Sequence, residues 1–188
     1  MSRVTLQQLL LSGAHFGHAV SRWHPKMESY VFTARGGIHI LDLQQTRERL
    51  QVALDFMRSV SARGGSVLFV GTKKQAQASV KAAALSCEMP YVTGRWLGGT
   101  FTNFGQIKGV IKKYVTLKDQ QAKGELKKYT KREQVWIDRE IEDLETKVGG
   151  ISTVEKLPEA IFLFDLKQDK TAFEESKAMG VSVIALCD

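Results

Sequence analysis

The chain has 188 residues, near the size of one domain with a small appendage. Hydrophobic residues make up 43% and charged residues 25%, a mixture that can bury a real core and excludes wholesale disorder. Lys and Arg number 27 against 20 Asp and Glu, giving a net charge of +7 and a pI near 9.4. That balance points to a polyanionic partner, nucleic acid before membrane.

The only cysteines, Cys87 and Cys187, lie far apart in sequence. They imply no disulfide framework and fit a reducing compartment. Leu9-Leu10-Leu11 is too short for a signal segment, and no stretch approaches the ~20 apolar residues of a membrane span. The expectation is a soluble, intracellular chain with no membrane partner.

In chain order, residues 4–12 read as a short amphipathic helix ended by Gly13. Two β-prone runs, 30–32 and 38–41, are split by Arg35-Gly36-Gly37 and predict a hairpin or a pair of edge strands. A helix capped by Thr46 follows, with Leu50, Ala53, Leu54 and Met57 at helical spacing and Gly64-Gly65 at its end. Val67-Leu68-Phe69-Val70 is a continuous apolar run, as in a strand buried on both faces. An Ala-rich helix over 73–87 and a short strand at Tyr91-Val92 come next. Further on lie a strand at 161–164, a helix over 169–179 stopped by Gly180, and a strand at 181–186. Buried strands alternating with helices predict a doubly wound α/β core with a parallel sheet, flavodoxin-like or Rossmann-like. Because the chain stops directly after an apolar strand, the expectation is that further sheet once followed Asp188.

Between these halves the pattern changes. Phe104, Ile107, Ile111 and Tyr114 form one heptad-like seam; Ile137, Ile141, Leu144 and Val148 form another. They predict an antiparallel coiled-coil helical hairpin over 104–148, inserted into a core made of 1–103 and 149–188. Each arm would run roughly 25 Å at 1.5 Å per residue. Residues 105–139 carry +6 and residues 140–188 carry −6. A lysine run by itself is usually a solvated helical face. On a projecting arm it is also suited to reaching across a phosphate backbone.

Three motifs invite chemistry. Gly71-Thr72-Lys73-Lys74 follows a strand and opens a helix, where backbone N–H groups favour an anion. It is neither a Walker loop nor a dinucleotide fingerprint, so an ordinary strand–helix turn accounts for it better than a nucleotide site, though an RNA phosphate could use the same donors. His15, His18 and His24 sit close in sequence without a further metal ligand, and no nucleophile or carboxylate joins them in a triad signature. Asp42 and Asp165 end β-prone runs, where capping the next turn is the common duty. No catalytic, metal or cofactor site and no small-molecule substrate is therefore expected. The stretch from Arg95 to Asn103, with Gly98-Gly99 at its centre, reads as a rigid elbow that aims the hairpin, with Thr102 or Asn103 capping its first helix.

Several stretches occur together in one order: His15-Phe16-Gly17-His18, Trp23-His24-Pro25-Lys26-Met27, Ile38-His39-Ile40-Leu41-Asp42-Leu43 and Leu68-Phe69-Val70-Gly71-Thr72-Lys73. Arg95-Trp96-Leu97-Gly98-Gly99, Thr102-Asn103, Gly149-Gly150-Ile151 and Leu157-Pro158-Glu159-Ala160 complete the series. With these the chain resembles the small-subunit ribosomal protein S-two family, in its bacterial or organellar form, from end to end. His24 stands where many members carry Asn, and Phe101 and Phe104 replace the more usual Leu and Trp.

The resemblance implies a structural, non-catalytic component of the small ribosomal subunit, with small-subunit rRNA and neighbouring ribosomal proteins as partners. In bacteria it also implies a part in anchoring ribosomal protein S-one. Expected phosphate contacts are Lys73, Lys74, Lys108, Lys112, Lys113, Lys118, Lys123, Lys127, Lys128, Lys131 and Arg132. Arg22, Trp23, His24, Lys26, Arg95, Trp96, Thr102 and Asn103 are expected to fit folded RNA. Two rivals remain: an α/β enzyme taking a nucleotide or phosphorylated metabolite at residues 71–74, and a protein scaffold whose hairpin docks on partner helices.

Overall fold

The computed structural model describes residues 4–22 and 24–187. The chain divides into two compact units, residues 1–59 and residues 60–187.

In the first unit, helix α1 (Leu6–Leu11) opens on a capping box in which Thr5 and Gln8 satisfy each other's backbone N–H groups. Gly13 ends it at φ +76°. Strand β1 (Phe16–Ala19) follows, then β2 (Val31–Arg35) and β3 (Ile38–Leu41), forming an antiparallel sheet in the order β1-β3-β2. The expected hairpin is β2–β3. Gly36 and Gly37 both take positive φ, as a two-residue hairpin turn matched to strand twist requires. The third strand was hidden in the His-Phe-Gly-His motif, where Gly17 lets β1 lie against the carbonyl of His39.

Helix α2 (Leu43–Ala62) begins earlier than expected. Its cap is Asp42 rather than Thr46, with one carboxylate oxygen accepting from the N–H groups of Gln44 at 2.8 Å and Gln45 at 3.4 Å. The Thr46 hydroxyl instead donates to the Asp42 carbonyl. A carboxylate satisfies two orphan N–H groups at once, which a hydroxyl four residues further on cannot do.

The larger unit is mixed α/β. Strands β4 (Val67–Val70), β5 (Tyr91–Val92), β6 (Ala160–Leu163) and β7 (Ser182–Ala185) form a parallel sheet in the order β5-β4-β6-β7. Helix α3 (Lys74–Ser86) joins the first two strands and α6 (Lys170–Ala178) the last two. This order reverses between β4 and β6, the signature of a doubly wound sheet.

Between β5 and β6 run two long helices, α4 (Phe104–Ala122) and α5 (Lys131–Val148), linked by a 3-10 turn over Glu125–Lys128. Ile107, Ile111 and Tyr114 of α4 are buried together with Ile141, Leu144 and Val148 of α5. All six belong to one apolar cluster with Leu68, Val70, Ile161 and Leu163 of the sheet, so the seam expected from spacing is continuous with the main core. Two glycines let the helices seat on β5. A Cβ on Gly150 would lie 2.2 Å from the Tyr91 carbonyl oxygen, and one on Gly94 would lie 2.8 Å from that of Thr146. Among the described residues, no helix is long and apolar enough to cross a membrane.

Candidate nucleic-acid interface

The Arg95–Asn103 stretch is organised by a residue that sequence reasoning missed. Glu175, on α6, is 8% exposed, and its carboxylate sits inside the loop. One oxygen accepts from the Trp96 indole N–H at 3.2 Å and the Gly99 N–H at 2.7 Å. The other accepts from the N–H groups of Phe101 at 2.9 Å and Thr102 at 3.3 Å, and from the Thr102 hydroxyl at 3.4 Å. Burial pushes the carboxyl's pKa up, but these donors outweigh it and hold the value below the usual glutamate range. The loop's N–H groups thus form an anion-binding concavity, and the anion is the protein's own side chain. The signal in sequence was a charged residue sharing the buried stripe of α6 with Ala172 and Ser176.

This arrangement assigns the elbow residues different duties. Trp96 is 8% exposed and packs edge-on against Phe101, with ring centroids 5.2 Å apart. Its indole N–H is already bonded, so it holds the elbow from inside and presents no ring to a base. Thr102 is tied to the same carboxylate. Neither Thr102 nor Asn103 caps α4 with its side chain: Asn103 occupies the cap position without that bond. Arg95 and Asn103 are exposed. Gly99, at φ +88°, supplies the left-handed turn that swings its N–H onto the carboxylate.

The crevice between the ends of β4 and β6, where doubly wound sheets usually hold ligands, is bridged by side chains. Thr72 donates to Asp169 at 2.7 Å, and Lys73 pairs with Asp165 at 3.2 Å. Asp165 also accepts from the N–H groups of Lys167 and Gln168, the capping duty expected of it. Burial raises the pKa of Asp165, but Lys73 and those amides carry the net shift downward. Asp169 moves the other way: burial and then the charge of Asp165 outweigh its bonds from Thr72. Two carboxylates facing this crevice suit an incoming phosphate poorly, and the Lys73 charge is already answered.

On the two long helices the lysines separate into two classes. Lys113 bonds Glu140 and Lys118 bonds Glu145 across the helix pair, while Lys123 pairs with Asp119 and Lys147 with Asp143 along their own helices. Lys118 also donates to the Tyr114 hydroxyl at 2.8 Å, which with Glu145 raises its pKa. Lys108, Lys112, Lys128, Lys131 and Arg132 are exposed and form no ion pair among the described residues. Lys108 lies over the Phe104 ring at 5.1 Å and Lys128 over Tyr129 at 5.2 Å.

In the smaller unit, Arg22, His24 and Lys26 are exposed. His24 caps the 3-10 helix Pro25–Tyr30, its Nδ1 accepting from the Lys26 N–H at 3.2 Å. Trp23 and the side chain of Lys127 lie outside the described residues. Among the described residues, no group of three or more His, Cys, Asp or Glu side chains is placed to hold a metal ion.

The family described as Ribosomal protein S2 matches residues 9–188. The chain belongs to this family. Three members with which it aligns are small ribosomal subunit proteins uS2. That of Salinispora arenicola is 45% identical over 192 residues, covering 100% of the chain and 68% of the relative. That of Bdellovibrio bacteriovorus is 43% identical over 188 residues, covering 100% and 60%. That of Roseiflexus castenholzii is 46% identical over 185 residues, covering 98% and 70%. The chain therefore spans 60–70% of the length of these S2 relatives. The S2 match takes in both units, the Arg95–Asn103 elbow and Glu175.

Proposed function

We propose that the chain is a structural constituent of the small ribosomal subunit that binds small-subunit rRNA, with no reaction of its own. Membership of the S2 family carries this reading, since the aligned relatives are all small ribosomal subunit proteins. The parallel sheet is the scaffold. Residues 104–148 serve as an antiparallel coiled-coil arm protruding from a core of residues 1–103 and 149–188, in keeping with the cross-helix pairs of Lys118 with Glu145 and Gln121 with Asp138.

Phosphate contacts fall first to the lysines without carboxylate partners, Lys108, Lys112, Lys128 and Lys131, with Arg132 and Lys74. Lys73, Lys113 and Lys123 contribute once their ion pairs open, since an exposed pair is held by less than about 1 kcal/mol. Lys127 belongs to the same basic turn by its position in sequence. Arg22, Trp23, His24 and Lys26 in the smaller unit, and Arg95 and Asn103 at the elbow, fit the folded RNA. Thr102 and Trp96 position the elbow. Neighbouring ribosomal proteins are further partners, among them S-one where the ribosome is bacterial, and the particle's place is the cytoplasm or an organelle.

Co-sedimentation of the tagged chain with ribosomal particles, at moderate and high salt and with or without nuclease, tests the reading. Stoichiometric presence on the small subunit, lost on nuclease treatment, is expected. A chain left at the top of the gradient would refute it, and association that survives nuclease would favour the protein-scaffold rival.

A further inference from the structure

We propose that the outer face of α5 carries a stacking site for an unpaired RNA base, formed by Trp136 with Arg132 and Arg139 beside it; this rests on the RNA-binding reading above. Trp136 is 69% exposed, whereas Trp96 is buried. A single exposed ring is ordinary on a protein surface, but one flanked by two arginines offers a flat apolar plate with charge on either side. Arg132 lies four residues before it and Arg139 three after. Both therefore share its face, about 6 Å and 4.5 Å away along the axis.

Three carboxylates on that side of the helix are already occupied. Glu133 accepts from the Thr130 N–H and hydroxyl in the capping box, Glu140 bonds Lys113, and Asp143 bonds Lys147. Arg132 and Arg139, both exposed, have no ion pair among the described residues. An apolar plate with unanswered guanidinium groups on either side fits a nucleotide: the base lies on the indole and the adjoining phosphates meet the arginines.

A protein partner fits less well. Beyond the indole, the exposed apolar surface nearby is Val135 at 49% and Tyr129 at 37%. A protein interface centres on an apolar patch depleted of charge, whereas arginines flank this ring. Duplex RNA fits less well too, because its bases are already stacked on each other.

The test compares binding of a short fluorescent oligoadenylate and an RNA duplex of equal length by the full chain and its variants. Trp136→Ala is expected to weaken oligoadenylate binding about tenfold and leave duplex binding unchanged. Trp136→Phe, which keeps a ring, is expected to stay within about threefold of the parent. Because Trp136 is exposed, both variants keep the far-ultraviolet circular dichroism of the parent. A Trp136→Ala chain that binds oligoadenylate like the parent overturns the site. If alanine at Lys108, Lys112, Lys128 and Lys131 abolishes binding meanwhile, the RNA reading stands without it. A parent that binds neither RNA overturns both. A Trp136→Ala chain with normal oligoadenylate binding that no longer sediments with small subunits assigns the ring to a protein neighbour, and that too overturns the stacking site.

Discussion

Five donors converge on the two oxygens of Glu175; four are N–H groups, and those of Trp96 and Phe101 are buried with no water to turn to. Removing the carboxylate orphans them together. Glu175→Ala is therefore expected to destabilise the larger unit by about 3 kcal/mol, measured by urea unfolding. Glu175→Gln turns one acceptor into a donor facing N–H groups and is expected to cost about 2 kcal/mol. Because the folded pKa lies below the ordinary 4.5, the charge contributes stability above that value and loses it as pH falls through the folded pKa. Below about pH 4.5 the parent should lose stability more steeply than Glu175→Gln, and parallel curves would contradict this account. Sequence showed the elbow's glycines and aromatics but not its acceptor, since Glu175 lies 73 to 79 residues further along and looks like any helical acid. Asp42 and Asp165 were legible because a cap acts within three residues of itself.

At the scale of elements, the sheet and helix pair meet where side chains have been reduced to hydrogen. Gly150→Ala would set a methyl group 2.2 Å from the Tyr91 carbonyl oxygen and 2.8 Å from its ring. β5 or the turn after α5 must then move, at about 3 kcal/mol, read as a lowered urea midpoint. Gly109→Ala, in α4 with open space around the added carbon, is the control and should hold or gain stability. The buried strands were readable as unbroken apolar runs, and Ile107, Ile111, Ile141 and Leu144 as periodic ones. Strand β1 was not, because its exposed Phe16 and His18 give no alternation to read.

For the whole molecule, charge must be counted by what touches rather than by what is adjacent in sequence. Counted along the sequence, residues 105–139 carry +6 and residues 140–188 carry −6. Those acids include Glu140, Glu142, Asp143 and Glu145 of α5, and residues 104–148 as a whole carry 11 basic and 8 acidic groups. The standing positive charge thus rests first on side chains without partners. Alanine at Lys108, Lys112, Lys128 and Lys131 should weaken RNA binding and flatten the slope of log affinity against log salt, by up to about 0.9 for each phosphate no longer neutralised. Deleting a complete pair, Lys113→Ala with Glu140→Ala, leaves the net charge unchanged and should move that slope by less than about half a unit. Equal effects of the two variants would contradict the division between paired and unpaired lysines.

The carboxylate inside the elbow also sets an order of events during synthesis. The amides of Gly99, Phe101 and Thr102 leave the ribosome 73 to 76 residues ahead of Glu175. At about 5–20 residues per second they wait roughly 4–15 s for their acceptor. The two long helices are made within that interval and draw on neighbours close in sequence, so they can zip together while their base is still unset. The elbow that joins β5 to α4 is fastened to its acceptor only when α6 arrives. A newborn chain therefore carries two finished helices before the loop that leads into them is fastened, and whatever binds those helices early meets the loop still open.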